Sequence, residues 1–172
     1  MLLTGKFCRD CGSEMVFALI EEVQRKKCDN CSYIDWEPPV SVGVALIPAG
    51  RLNDGIVLVQ RGLPPVDKWC LPAGFLSTGE SPSQAAARET KEETNLLIVV
   101  PEVPVRIIVP PGRNQILHFF LARSKRGRMR PGSDAKAVAI FREHELPEIA
   151  FPLHREVIAQ HFANVRRRLR AA

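Results

Sequence analysis

Three glutamates and four cysteines carry the chemistry that can be read from this chain. In the stretch from Gly74 to Leu96, GFLSTGESPSQAAARETKEETNL, Glu89, Glu92 and Glu93 stand at i, i+3 and i+4. That spacing puts them on one helical face within about one turn. Like charges that close repel, by roughly 0.2–0.5 kcal/mol per pair on an isolated helix, so a cation is expected among them. Hard divalent ions, magnesium or manganese, suit clustered carboxylates. Arg88 shares the cylinder with Glu92 and can hold one carboxylate by a charge-assisted hydrogen bond. Ala85 and Ala86 lie a turn earlier, and their small size leaves room for ions and a bulky anion.

The cysteines make a different site. Cys8-x2-Cys11, sixteen residues, then Cys28-x2-Cys31 is the paired-knuckle spacing of a structural zinc site. Four thiolates leave no open position, and the ion folds a segment too short to bury its own core. Two disulfides are the competing pairing. The tight CxxC pairs and the absence of a secretory leader speak against them. Cys70 is left over in an apolar stretch and reads as a buried, inert thiol.

The glutamate stretch resembles a known family. Gly74, five residues, Glu80, seven residues, Arg88-Glu89, two residues, Glu92-Glu93 is similar to the Nudix box. The lead-in Trp69-x-Leu71-Pro72-x-Gly74 also resembles that family. Two positions depart from it: Thr90 replaces an aliphatic residue and Asn95 a glycine. Threonine can still pack, and Asn is the next-best residue for a left-handed helix cap.

The resemblance implies a Nudix α/β/α sandwich with a mixed sheet, an α/β fold. It implies hydrolysis of a nucleoside diphosphate linked to another moiety. Glu89, Glu92, Glu93 and the backbone at Gly74 would hold magnesium or manganese, and Arg88 would orient a carboxylate. The general base would be a box glutamate or an acid from a late loop. Asp134 is the best late-loop candidate, with Glu143 and Glu145 behind it. His118, in mid-strand, reads as a core or surface residue.

A zinc ribbon ahead of such a domain resembles the NADH pyrophosphatase group and its relatives acting on ADP-ribose or FAD. NADH pyrophosphatases carry a Ser-Gln-Pro-Trp-Pro-Phe-Pro type motif after the box. This chain has Val109-Pro110-Pro111-Gly112-Arg113-Asn114-Gln115 there, which moves ADP-ribose, FAD or a similar nucleotide-sugar or dinucleotide ahead of NADH. The products would be AMP and X-phosphate. Trp36, Phe75 and Phe119 are the aromatics on which adenine could stack. The alternative is a ribbon protein that binds RNA or processes its 5′ end. The resemblance also implies a homodimer.

Composition sets the frame. The 172 residues suffice for one ordinary domain and a small appendage. Apolar residues make up 45%, enough for a core. No apolar run is long enough to span a membrane. MLLTGKFC has no long apolar segment of a secretory signal, so a cytoplasmic enzyme is expected. Net charge is +5. Part of the excess lies from Phe151 onward, where five arginines face one acid, Glu156. This suits anionic substrates, but such a tail reads first as a solvated helix end, so nucleic-acid binding is not expected.

The elements follow. Residues 1–37 read as a zinc ribbon with a hairpin around Glu21-Glu22, and 38–172 as the hydrolase domain. Val40–Ile47 and Gly55–Arg61 are expected to pair as a hairpin. Ser81 caps the box helix, Pro82 starts it, and it ends near Asn95. Residues 96–109 look rich in strand, broken by Pro101 and Pro104, 115–123 and 136–141 are strands, and 124–133 is expected to be an exposed, mobile basic loop. Leu153, Val157, Ile158, His161, Phe162, Val165 and Leu169 line one stripe of a helix over 152–169.

Overall fold

Two matching turns open the chain. The Gly12 N–H donates to the Cys8 carbonyl and the Ser32 N–H to the Cys28 carbonyl, both at 2.9 Å. Gly12 and Ser32 take φ of 77° and 61°, a region glycine enters freely and serine rarely. The computed structural model describes residues 5–132 and 134–171. It divides into two compact units, Met1–Pro38 and Pro39–Ala172. In the first, β1 (Met15–Ile20) and β2 (Val23–Cys28) pair antiparallel, and β3 (Ile34–Asp35) adds to β2. Glu21 and Glu22 both have positive φ, 51° and 64°, the two-residue turn whose twist matches the strands it joins. Only Cys8 and Cys28 are buried among the described apolar residues of this unit, while Phe17 and Leu19 are each 70% exposed.

The second unit is built on β4 (Val40–Leu46). Val42, Val44 and Leu46 face one core and Ala45 the other, with Ile47 just beyond the strand on Ala45's side. A strand buried on both faces belongs in the centre of a sheet. The elements after it are β5 (Pro48–Ala49), β6 (Gly55–Arg61), β7 (Trp69–Cys70), β8 (Ala73–Phe75), α1 (Pro82–Thr94), β9 (Leu97–Val99), β10 (Arg106–Ile108), β11 (Gln115–Leu121), β12 (Arg123–Arg126), β13 (Ala135–Arg142) and α2 (Pro152–Ala171). The expected β4–β6 hairpin does not form. β4 pairs parallel with β11 and antiparallel with β8, in the order β10-β11-β4-β8. β6 pairs with β13, β7 and the short β5. Pro48 has no N–H to continue the β4 ladder, and only the short stretch from Ile47 to Ala49 folds back on β6.

α1 and α2 cover opposite faces. Val157, Ile158 and Phe162 of α2 pack with Val44, Leu58, Leu71 and Phe119. Ala86 of α1 packs with Ala45, Val57, Leu96 and Phe120. The result is an α/β/α sandwich with a mixed sheet. Gly43 explains how close α1 lies: a Cβ there would sit 2.3 Å from the Pro82 carbonyl oxygen and 2.7 Å from the Ala86 nitrogen. Across the strands Gly43 faces Gly74, so a row without side chains seats the helix.

The α1 ends follow the sequence reading. Ser81 accepts from the Gln84 N–H in a reciprocal capping box, Pro82 is the first helical residue, and Asn95 caps the end at φ 61°. Thr90 is fully buried, and its hydroxyl donates to the Ala86 carbonyl at 2.7 Å, which makes burial of that polar group tolerable. As expected, Pro101 and Pro104, which lack the N–H a ladder needs, break residues 96–109 into the short β9 and β10. One further expectation is corrected. The basic segment is pinned rather than loose: β12 pairs with β9, the Arg130 N–H donates to Thr94 at 3.0 Å and the Gly132 N–H to Glu93 at 3.1 Å. These bonds satisfy carbonyls that the end of α1 would leave open.

Candidate active site

Each residue of the lead-in to the box has a job. Trp69 packs edge-on to Phe141, ring centres 4.7 Å apart. Leu71 is fully buried, and its N–H donates to His154 Nδ1 at 3.2 Å. The Pro72 carbonyl accepts from Ala45. The Ala73 N–H donates to Glu93 at 3.2 Å. At Gly74 a Cβ would fall 1.9 Å from the Glu89 carboxyl carbon, so any larger residue there would displace that carboxylate from its place.

Arg88 is the hub of the box. Its Nε and Nη2 donate to the two oxygens of Glu80 at 2.8 and 3.0 Å. Nη1 donates to Glu89 at 2.8 Å and Glu92 at 3.2 Å, and Nη2 also reaches the Phe75 carbonyl at 2.9 Å. The sequence reading foresaw one carboxylate partner; the fold supplies three. Glu80 also accepts from the Ser77 N–H, which fixes the loop before α1. Arg88 and that N–H hold the Glu80 carboxyl below its ordinary range.

Glu93 is the opposite case. Burial pushes its carboxyl up to about 8, with Glu89 and Asp134 adding repulsion, while the Ala73 N–H and Arg61 pull it back. Glu89, Glu93, Gly74, Phe75, Arg61 and Asp134 line one cavity of about 270 Å³. Asp134 reaches it by two tethers. Its carbonyl accepts from the Gly62 N–H at 2.9 Å, and Gly132, two residues earlier, lies so close to α1 that a Cβ would meet the Glu92 carbonyl oxygen at 1.7 Å.

The fold therefore gathers Gly74, Glu89, Glu93 and Asp134. Glu92 stays outside the cavity lining, its side chain 55% exposed against Arg88. Among the described residues, only the four cysteines form a group of metal-binding side chains whose ligand atoms all lie within 4.8 Å of one another. Arg88 Nη1 bridges Glu89 and Glu92, while Glu93 turns to the Ala73 N–H. Glu143 pairs with Arg166 and Glu145 accepts from the Arg142 N–H; neither lines the cavity, nor does His118. Phe119 is fully buried and is unavailable for stacking. Phe75 is 55% exposed at the cavity. Trp36 carries Arg25 over its ring at 4.8 Å.

Two residues escaped the sequence reading. Arg61 ends β6 and lines the cavity; the signal was a cation just ahead of the lead-in. His154 is buried on α2, where desolvation drops its imidazole to about 3. It serves as an acceptor that ties α2 to the lead-in.

In the first unit the Cys8 and Cys31 sulfurs lie 3.5 Å apart, as do those of Cys11 and Cys28. Tetrahedral zinc with thiolate bonds near 2.3 Å needs sulfurs roughly 3.8 Å apart, so the donor set fits that ion. The Asp10 N–H points at the Cys8 sulfur, 3.4 Å away.

A mixed-sheet sandwich with an acidic helix seated on glycines defines a Nudix-type hydrolase domain. The profile described as NUDIX domain matches residues 37–161, and the chain belongs to that family. It is 33% identical over 152 residues to the NAD-capped RNA hydrolase NudC of Photobacterium profundum, covering 87% of this chain and 54% of that protein. It is 33% identical over 112 residues to an ADP-ribose pyrophosphatase of Methanocaldococcus jannaschii, covering 62% of this chain and 64% of that one. A solved NUDIX hydrolase from Nitrosomonas europaea aligns with a TM-score of 0.84 at 29% identity, covering 92% of this chain and 91% of that one. The chain thus spans about half to two thirds of the length of these two curated relatives. No helix among the described residues is long and apolar enough to cross a membrane.

Proposed function

We propose that this chain is a metal-dependent diphosphatase that splits an ADP-linked compound, ADP-ribose or FAD ahead of NADH, into AMP and X-phosphate. The observation that carries this is the convergence of Glu89, Glu93, Asp134 and the side-chain-free edge at Gly74 on one cavity. Its oxygen donors suit hard divalent ions. Glu89, Glu93 and the Gly74 backbone, joined by Glu92 on rotation away from Arg88, would hold magnesium or manganese. Such ions neutralise a diphosphate and lower the pKa of a water. Arg88 orients the carboxylates. Asp134 is the general base: it takes the proton of the water that adds to phosphorus as the bridging P–O bond breaks. The relatives named for ADP-ribose and for NAD-capped RNA support the substrate class. Zinc in the four-cysteine site is structural. Thiols held for zinc suit a reducing, cytoplasmic setting, and a homodimer is the assembly light scattering would test.

One observation favours a second reading, processing of a capped RNA end. Arg123, Lys125, Arg126, Arg128 and Arg130 are all exposed on the segment that leads to Asp134, and exposed cations attract phosphates. Incubation with ADP-ribose, FAD, NADH and NAD-capped RNA, each with magnesium or manganese and with product identification, decides between them. No turnover on any of the four would remove the proposed substrate class.

A further inference from the structure

We infer that His154 is a positioning residue for the reaction: by accepting the Leu71 N–H it fixes the lead-in that places Glu93 and the Gly74 edge. The assignment rests on the diphosphatase reading above. The need for such an acceptor shows in the backbone. Trp69 makes a parallel bridge with Ile149. The Trp69 N–H donates to the Glu148 carbonyl at 2.9 Å, and the Ala150 N–H to the Trp69 carbonyl at 2.7 Å. Continued by two residues, that ladder would send the Leu71 N–H to the Ala150 carbonyl. The ladder stops there, because the chain turns at Phe151 and Pro152 begins α2. His154 Nδ1 takes the Leu71 N–H instead, at 3.2 Å, so an imidazole stands in for the next carbonyl.

Leu71 sits in the gap between two strands, since β7 ends at Cys70 and β8 begins at Ala73. It is fully buried, and a buried N–H that loses its acceptor is costly enough to make the chain shift toward another. Two residues separate it from the chemistry. Pro72, with its fixed φ, passes a displacement on. The Ala73 N–H donates to Glu93 at 3.2 Å, and Gly74 leaves the space that the Glu89 carboxylate fills. A shift at Leu71 therefore moves both places where the cavity would hold a metal ion. The ring is itself held fast. It is buried, with its centre 5.6 Å from that of Phe119 and 5.0 Å from that of Phe151. A neutral ring that accepts at Nδ1 carries its proton on Nε2. Burial, with Arg61 adding to it, lowers the imidazole to about 3, so it stays an acceptor well into the acid range.

The test compares wild type with His154→Leu and His154→Asn. Leucine fills space without an acceptor, whereas the asparagine side-chain oxygen reaches close to the place of Nδ1. Each protein is measured by steady-state kinetics on ADP-ribose, by Mn²⁺ titration in electron paramagnetic resonance without nucleotide, and by amide hydrogen exchange at Leu71, Ala73 and Gly74. All readings are taken well below the melting temperatures. His154→Leu should lower kcat by about tenfold to a hundredfold, the usual cost of misplaced groups, and leave KM nearly unchanged. It should weaken Mn²⁺ binding severalfold and speed exchange at the three amides. His154→Asn should restore most of each, even where it melts no higher than the leucine variant, a rescue that a merely structural role would not give. Should His154→Leu fail to fold, His154→Met takes its place. A folded apolar variant with wild-type kcat and Mn²⁺ binding overturns the assignment, and so does an asparagine variant no better than the apolar one. A wild type that binds no Mn²⁺ and turns over no substrate would instead sink the diphosphatase reading, and exchange at Ala73 and Gly74 would still decide whether His154 holds the lead-in.

Discussion

The four cysteines and the three box glutamates are both candidate metal ligands, and they stand in opposite relations to the fold. The cysteine sulfurs converge within 4.8 Å in a unit whose described residues form no apolar core, with Phe17, Leu19 and Trp36 exposed. The glutamates stay apart, on a helix held by Ala86, Thr90 and the Gly43 seat. One site makes its fold; the other is made by its fold. Metal loss should therefore act on structure in the first case and on chemistry in the second.

The largest effect expected is at the ribbon. Structural zinc in small domains contributes on the order of 10–16 kcal/mol, which the exposed side chains here cannot replace. A strong chelator, or Cys28→Ser, should unfold residues 5–38 and leave the second unit folded. Amide NMR separates the two. Persistence of the β1–β2 amide signals after zinc removal would mean that the ribbon holds itself. Next comes Glu93→Gln. The amide oxygen can still accept from Ala73 and the neutral side chain escapes the cost of a buried charge, so the metal-free variant should melt no lower than wild type. Turnover should drop by orders of magnitude, since a ligand charge is gone. Survival of activity would show that Glu93 has no part in the reaction.

The pH response sharpens the contrast. Burial raises the Glu93 carboxyl to about 8 in the folded chain, above its ordinary value in the unfolded chain. The folded state thus binds the proton more tightly. The stability this adds to the metal-free protein is fully present below about pH 4.5 and is lost as pH rises through about 8. Allowing for partial exposure, the loss amounts to roughly 2–3 kcal/mol. Denaturant titrations of the metal-free protein at pH 5 and pH 8.5 should show it, and Glu93→Gln should flatten it. Mn²⁺ affinity should climb over the same interval, because the ion competes with that proton. An equal slope in wild type and Glu93→Gln would assign the effect to another group.

How much of this was legible beforehand depends on the range of the interaction. Local features were readable: the α1 caps at Ser81, Pro82 and Asn95, the Glu21-Glu22 turn, the cysteine knuckles, and the i, i+3, i+4 glutamates. Features set by long-range pairing were not. The parallel partner of β4 lies some seventy residues on, at Gln115–Leu121, and nothing local distinguishes that pairing from a hairpin. Arg61 enters the site only because β6 runs beside β13. His154 was missed because the helix stripe was read for apolar residues, whereas its role is to accept one N–H. Asp134 was legible as a candidate by its place before a strand. The tethers that bring it to Glu93 come from backbone groups on Gly62 and Gly132, which a sequence does not advertise.

The smallest expected effect probes a further tie on the segment that leads to Asp134. Asn95 stands where the family pattern has glycine and holds φ 61°. Asn95→Gly would relieve the backbone of that strain, a gain of some tenths of a kcal/mol. It would also remove the bond from Asn95 Nδ2 to the Arg128 carbonyl, 3.0 Å long, worth about 0.5–1.5 kcal/mol. The two nearly cancel, so the melting temperature should move by no more than about 2–4 °C. The local consequence is not cancelled. With that bond gone, the segment from Gly127 to Gly132 keeps only its backbone ties to α1, and hydrogen exchange at Arg128 to Arg130 should quicken while α1 amides stay protected. Because the same segment delivers Asp134, kcat should fall modestly as exchange rises. Faster exchange with no change in kcat would detach Asp134 from the chemistry and leave the glutamates as the only source of the base.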